Sequence, residues 1–405
     1  MNSAITENTV TGNKPVLFIS FLMASVGFLF FIYLAIGTHP EEAWFIFLLN
    51  FLLFTGLSLG ALLFSTITHF TKARWSQHLS GVAESFSFFF PISFLLFLIL
   101  FLGEQHLFPW LKEDLHGKEV WLNIPFLFTR DLISFLILFG LGFCYLYHSL
   151  WFRLDFTQNR TLLKQMLYKR WKSKPPDPEK IRKRMTIYAA WYMFAFAMVL
   201  SLIGYDLVMS MDPHWYSTLF GPYTFIKAVY TGFGAVIILS AILHLSSGNP
   251  FSASGPQFRD ISSLFFGFSL VWGDFFYSQF LVIWYGNIPE ETSYIIERTM
   301  TQPWSFFAWA IFIMCFILPF VILLNGKIKE HPVSMAIICS MVIIGFWMEH
   351  FLLLGPVFSH SSNSFPLGYK ELTISVGFLG IFVLSILLYL KQFPDLLANN
   401  TGEVD

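Results

Sequence analysis

Long apolar runs recur along this chain, and no other feature limits its fold so strongly. A run of about 20 apolar residues crosses a hydrocarbon core of ~30 Å as a helix. Ten such runs can be read, at about 15–36, 43–69, 83–103, 130–152, 179–211, 220–246, 261–285, 303–325, 332–355 and 370–391. In lipid every backbone N–H and C=O must bond within its own segment. The expected fold is therefore an all-α polytopic membrane protein with ten transmembrane helices. Composition agrees: 56% of the 405 residues are hydrophobic, 12% are charged and the mean hydropathy is +0.63, against roughly 25% charged in soluble domains. The 51 phenylalanines suit helices that are apolar all round. Cys144, Cys315 and Cys339 all lie in apolar runs, with no CxxC or CxxCH. That argues against a disulfide framework, covalent c-type haem, iron–sulfur ligation and structural zinc on this chain. The opening "MNSAITENTVTGNK" lacks a basic n-region and a cleavage site, so the first run is expected to be kept as a helix.

Lys and Arg set the orientation. Loops on the N-terminal side carry 18 of them, eleven between Arg153 and Arg184, and the opposite loops carry five: Lys112, Lys118, Arg130, Arg298 and Lys370. The positive-inside rule then places both termini in the cytoplasm, of a bacterial inner membrane on the resemblance given below. The division is a cytoplasmic stretch 1–14, a membrane domain 15–391 and a cytoplasmic tail 392–405, with a basic cytoplasmic loop 153–184 and a periplasmic loop 104–129. Within the basic loop, Leu162, Leu163, Met166 and Leu167 among Lys and Arg predict an interfacial helix. Pro175 and Pro176 stop it, and Asp177 followed by Pro178 reads as the N-cap and first position of span five. Acidic residues Glu41, Glu42, Glu113, Asp114, Glu290, Glu291 and Glu297 lie in the outer loops, a face that suits a basic soluble partner or plain solvent.

Spans two and six both run inward and both end in a histidine. His69 is followed after 15 residues by Glu84, and His244 after 16 by Asp260. This register divides the chain into two four-helix bundles, spans 2–5 and 6–9, related by an axis along the membrane normal and flanked by spans 1 and 10.

Ionisable groups inside a membrane are costly unless partnered, and so mark functional candidates. In "DLVMSMDPHWYSTLFGPYTFIKAVY" (206–230), Asp206 and Lys227 sit on the two legs of an outer hairpin, each about 9–12 Å from the turn at 1.5 Å per residue. The spacing predicts an ion pair, either a structural strut or a titrating pair in a proton path. Asp274 lies about 14 residues into span seven, near the midplane, with Tyr277 and Gln279 beside it. It is a candidate for proton handling or for a hydrogen bond to a quinone headgroup. Glu349 and His350 fall in the outer half of span nine, His148 in the inner half of span four, and His69, Glu84 and His244 at inner helix ends. Together these form the two halves of a possible proton wire with Asp274 between them. No span carries two well-separated histidines, which argues against a b-type haem.

Two stretches, "YDLVMSMDPHWYSTLFG" (205–221) and "FYSQFLVIWYGNIPEET" (276–292), resemble signature segments of the ActF membrane subunits of alternative complex III, within the NrfD/PsrC-like integral membrane family. The ten spans, paired bundles and orientation are similar too. Leu207 departs from that pattern, where Trp is expected. The resemblance implies a subunit of a bacterial respiratory quinol:cytochrome c (or HiPIP) oxidoreductase that binds no redox cofactor of its own. Quinone, menaquinol or lipid are the ligands it implies. Iron–sulfur clusters and haem c then belong to partners: the ActC paralogue, iron–sulfur ActB, c-type haem subunits ActA and ActE, and ActD, with a terminal oxidase downstream and no nucleic acid. It favours proton conduction through Asp206, Lys227, Asp274 and Glu349. A quinol site within this chain, built on Asp274, His148 or Glu349, is the alternative. A stand-alone secondary transporter is disfavoured, because no Gly/Pro-broken helix pair recurs in the two halves.

Overall fold

The computed structural model describes residues 14–37, 39–115, 117–154, 161–173, 177–246, 251, 253–358 and 367–397. Ten helices are long and apolar enough to cross a membrane. They are α1 (Lys14–Ile36), α2 (Pro40–Phe70), α3 (Arg74–Leu107), α4 (Ile124–Arg153), α6 (Pro178–Leu207), α7 (Phe220–Leu245), α8 (Gly255–Gly286), α10 (Trp304–Leu323), α11 (Pro332–Phe358) and α12 (Tyr369–Gln392). Two amphipathic helices, α5 (Leu162–Ser173) and α9 (Pro289–Met300), join them. The chain is thus an all-helical, multi-pass membrane protein. We call the side holding residues 104–123, 208–219 and 287–303 the hairpin face, and the opposite side the basic face.

Local chemistry explains the ends. The Asp177 carboxylate accepts from the Glu179 N–H at 3.0 Å with Pro178 at the first position of α6, as the sequence predicts. Ser254 and Gln257 form a capping box at α8, and Asn287 ends that helix in the left-handed region at φ 47°. Span three is less regular than an apolar run suggests. Ser85 and Ser87 hydroxyls bond back to the carbonyls of Val82 and Glu84, and a tightened turn at Ser85–Phe89 precedes Pro91. In α5, Leu162 and Met166 are exposed on one side, as an interfacial helix requires. Pro175, Pro176 and the polar stretches 1–13 and 398–405 lie outside the described residues.

Packing follows the two-bundle register. α2 contacts α3 and α6, and α4 packs on α6; α7 contacts α8 and α11, and α10 packs on α11 and α8. The corresponding central helices, α2 and α7, pack on each other and are the most buried of the ten. Their crossing depends on missing side chains. A Cβ at Gly60 would collide with the Ala228 carbonyl oxygen, and one at Gly232 with the Gly60 backbone. Helices in lipid associate through such close approach. Gly60→Val is therefore expected to lower the thermal midpoint of the detergent-solubilised protein, with overpacking costing about 1–3 kcal/mol. Gly140→Ala, where nothing lies within 4 Å, is expected to leave it unchanged. α1 and α12 flank the bundles together: they pack on each other through Gly27 and Gly377 and lie along α2. Trp347 of α11 donates to Ser375 of α12 at 3.1 Å.

Candidate functional site

Asp206 and Lys227 are both buried, but they do not pair with each other. Asp206 is held by Arg130 of α4, with Nε to Oδ2 at 2.6 Å and Nη2 to Oδ1 at 2.6 Å. Trp121 Nε1 adds a third donor at 3.1 Å. Lys227 Nζ instead lies 2.8 Å from Glu349 Oε2 of α11, an ion-pair distance without hydrogen-bond alignment. Both charges lie inside the protein, as the sequence reading expects. The expected Asp206–Lys227 pair does not form, because position along a helix says nothing about which other helix faces each leg.

Arg130 is itself fixed by the loop before it. Its Nη1 donates to the Trp121 carbonyl at 2.8 Å, and its guanidinium lies 4.0 Å from the Trp121 ring centre. Lys118 donates to the Pro213 carbonyl, so the 118–130 segment grips the α6–α7 hairpin at two points. The Trp215 ring from that hairpin stacks on Tyr294 of α9 at 3.9 Å. Burial pushes the Tyr294 hydroxyl up to about 12, so it stays neutral. Arg298, buried beneath, covers the Tyr294 ring and donates to the Leu353 carbonyl of α11 at 3.0 Å. The hairpin face is thereby cross-braced between the two bundles.

Asp131, next to Arg130, was not singled out in the sequence. It is wholly buried, lies within electrostatic reach of Asp206, and neither of its oxygens finds a donor among the described residues. The signal available was an acid at the start of a span whose adjacent arginine already counted as a loop charge.

The second pair has its own surroundings. The Tyr223 hydroxyl donates to Glu349 Oε1. His350 is buried, with Nδ1 2.8 Å from the Phe346 carbonyl oxygen. A cavity of about 40 Å³ between α2, α6 and α7 is lined by Thr55, Thr224, Lys227, Thr231 and His350. Its wall also includes Phe135 and Ile203, one turn from Asp131 and Asp206 respectively. At ~10–15 Å³ per water, it holds on the order of three. The cavity therefore lies between the two charge clusters.

Toward the basic face a further polar cluster forms. Glu84 Oε1 accepts from Ser65 Oγ at 2.9 Å and Ser149 Oγ at 2.6 Å, with Arg153 at 3.6 Å. Tyr145 donates to the Ser65 carbonyl at 3.0 Å, and the His69 ring lies 6.0 Å from that of Tyr145. Glu84 Oε2 and the Tyr389 hydroxyl are buried without a partner among the described residues. His69 and Glu84 are thus brought together, but His244 is not: it is exposed beside Phe258. His148 is half-buried against Tyr188, bonded to the Cys144 carbonyl, on the α4–α6 surface.

Asp274 is not between the two halves. It is exposed on the outer side of α8, because Trp272 and Gly273 take the inward positions against Tyr223 and Phe316. Asp274, His148 and Glu349 accordingly do not converge on one pocket. Between Thr55 and Ser65 along α2, about 15 Å at 1.5 Å per residue, the buried polar side chains include Ser58, Thr231 of α7, and the Tyr192 hydroxyl, which bonds the Leu59 carbonyl at 3.0 Å. No group of three or more His, Cys, Asp or Glu among the described residues is arranged to hold a metal ion.

Fold and site define a ten-span membrane protein with paired charges, a small cavity and a second acidic cluster sealed within its helices. No protein-family model matches the chain, and no curated protein sequence matches it.

Proposed function

We propose that this chain is an integral membrane subunit of a respiratory quinol:cytochrome c (or HiPIP) oxidoreductase of the alternative complex III type. In this reading it supports proton movement and assembly, while haem c and iron–sulfur clusters reside in partner subunits. The resemblance of 205–221 and 276–292 supports the family. The basic loops support an orientation with both termini in the cytoplasm, and the resemblance supports a bacterial inner membrane. The observation that carries the proton role is the buried Lys227–Glu349 pair, with Tyr223 and His350, opening onto a cavity sized for water. Protons pass between groups at hydrogen-bond reach or through one water, and this cluster meets that condition at the hairpin side. Glu84 with Ser65, Tyr145 and His69 supplies the corresponding exchange point at the basic side.

The test is assembly. Host membranes are solubilised in mild detergent and separated by size. The chain is expected to migrate in a large complex whose peak carries c-type haem absorbance. Migration as a monomer, free of haem absorbance, sinks the proposal.

A further inference from the structure

The outer side of α8 carries an acid, Asp274, that finds no partner among the described residues. Asp274 lies 12 residues before Gly286, about 18 Å along the helix. Trp284 and Tyr285 are exposed near that end, 67% and 81%, and mark the membrane interface as aromatic belts do. Asp274 therefore stands close to the midplane of a ~30 Å core. It is exposed and makes no hydrogen bond or ion pair among the described residues. A carboxylate facing lipid at that depth is costly unless it meets a partner.

The same face is shaped for another helix. Ser263, Gly267, Asp274 and Ser278 recur at helical spacing, with Gly267 open to at least 4 Å. Ser263 and Gly267 are four residues apart, the small-xxx-small spacing that lets helix backbones approach closely in lipid. Tyr277 adds an exposed hydroxyl beside Asp274.

We propose that this face of α8 docks a transmembrane helix of a different polypeptide, one that presents a lysine or arginine to Asp274 at midplane depth. Charge complementarity chooses the occupant. A second copy related by a twofold axis at this face sets Asp274 against Asp274, two acids in lipid. Nor does a copy in any other orientation supply the cation. Among the described residues no exposed Lys or Arg lies in the middle of a span. The inference rests on the reading of the chain as a subunit, but needs no proton path.

The experiment uses the full chain in its host membranes. A photo-reactive p-benzoylphenylalanine replaces Gly267 or Val271 on this face, and Trp191 or Met198 on exposed α6 as controls. The expected result is an adduct from α8 with one other polypeptide, mapped to a transmembrane peptide containing Lys or Arg. Asp274→Lys and Asp274→Leu are expected to cut adduct yield at least tenfold, and an acidic replacement of the mapped basic residue to restore it for Asp274→Lys. Asp274→Leu relieves a charge facing lipid, so it guards against a folding failure. Adducts with lipid only, adducts with a second copy, or yields unchanged in both variants overturn the proposal. Haem co-migration without an α8 adduct sinks this inference alone; an adduct without haem sinks the proposed assembly alone.

Discussion

Arg130→Ala is expected to destabilise the protein by about 3–5 kcal/mol, the cost of stripping one partner from a buried ion pair. The side chains are 10% and 0% exposed for Arg130 and Asp206, so solvent screening does little to reduce this. The variant leaves Asp206 buried beside Asp131 with no cation between them and the water. Arg130→Lys is expected to recover only part of the loss. A single ammonium cannot reproduce the two 2.6 Å contacts to the two carboxylate oxygens that the guanidinium fork makes. Asp131→Asn in the Arg130→Ala background is expected to restore part of the stability, because it removes the second acid and supplies an amide donor. Thermal unfolding of the detergent-solubilised protein reads all three. Proteolysis within 113–121 should rise in Arg130→Ala, since that loop hangs on Arg130 through the Trp121 carbonyl. An unfolding midpoint for Arg130→Ala equal to that of the unmodified chain refutes this account of the hairpin face.

The membrane helices were legible because the signal is long and one-dimensional. Twenty apolar residues suffice, and the observed ends differ from the read ones mainly where caps and polar first turns extend a helix, as at Gly255 and Arg74. The paired bundles were legible from two histidines followed by acids at similar spacing. Even so, Glu84 is sealed in the core while Asp260, its counterpart, is exposed. A repeat preserves the path of the backbone, not the surroundings of each side chain.

Charge partners were not legible. Asp206 and Lys227 were rightly expected inside. Their partners, Arg130 and Glu349, come from helices 76 and 122 residues away in sequence, and depth gives no azimuth. Asp274 failed for the same reason. In a helix one residue is 100° of rotation, and Gly273 turned inward while Asp274 turned out. Arg130 and Arg298 were counted as loop charges, which their position at helix ends allows. Their burial arises from Trp121 and Tyr294 folding over them, and no local pattern announces that.

The Lys227–Glu349 pair offers the sharpest separation of strut from relay. Lys227→Met alone leaves Glu349 buried, 2% exposed and without its cation, and is expected to cost about 3–5 kcal/mol. Lys227→Met combined with Glu349→Gln removes both charges, keeps their volumes and leaves Tyr223 a hydrogen-bond acceptor. Replacing a whole buried pair by neutral groups is often neutral or stabilising, so the double variant is expected to unfold near the unmodified protein. Function should part from stability at this point. Were the pair only a strut, the double variant would recover proton uptake along with its fold. As a relay, the cluster has lost its ion-paired acid and base, and in the proposed complex uptake coupled to quinol oxidation is expected to fall by about 10²-fold, the scale of a lost general acid or base. Tyr223→Phe serves as the intermediate case. It deletes the donor to Glu349 but leaves Lys227, Glu349 and His350 in place, so the uptake rate should fall less than in the double variant. Proton uptake in assembled complex reconstituted into vesicles decides the matter: full uptake by a stable double variant makes the pair a strut and removes Lys227 and Glu349 from the proton path.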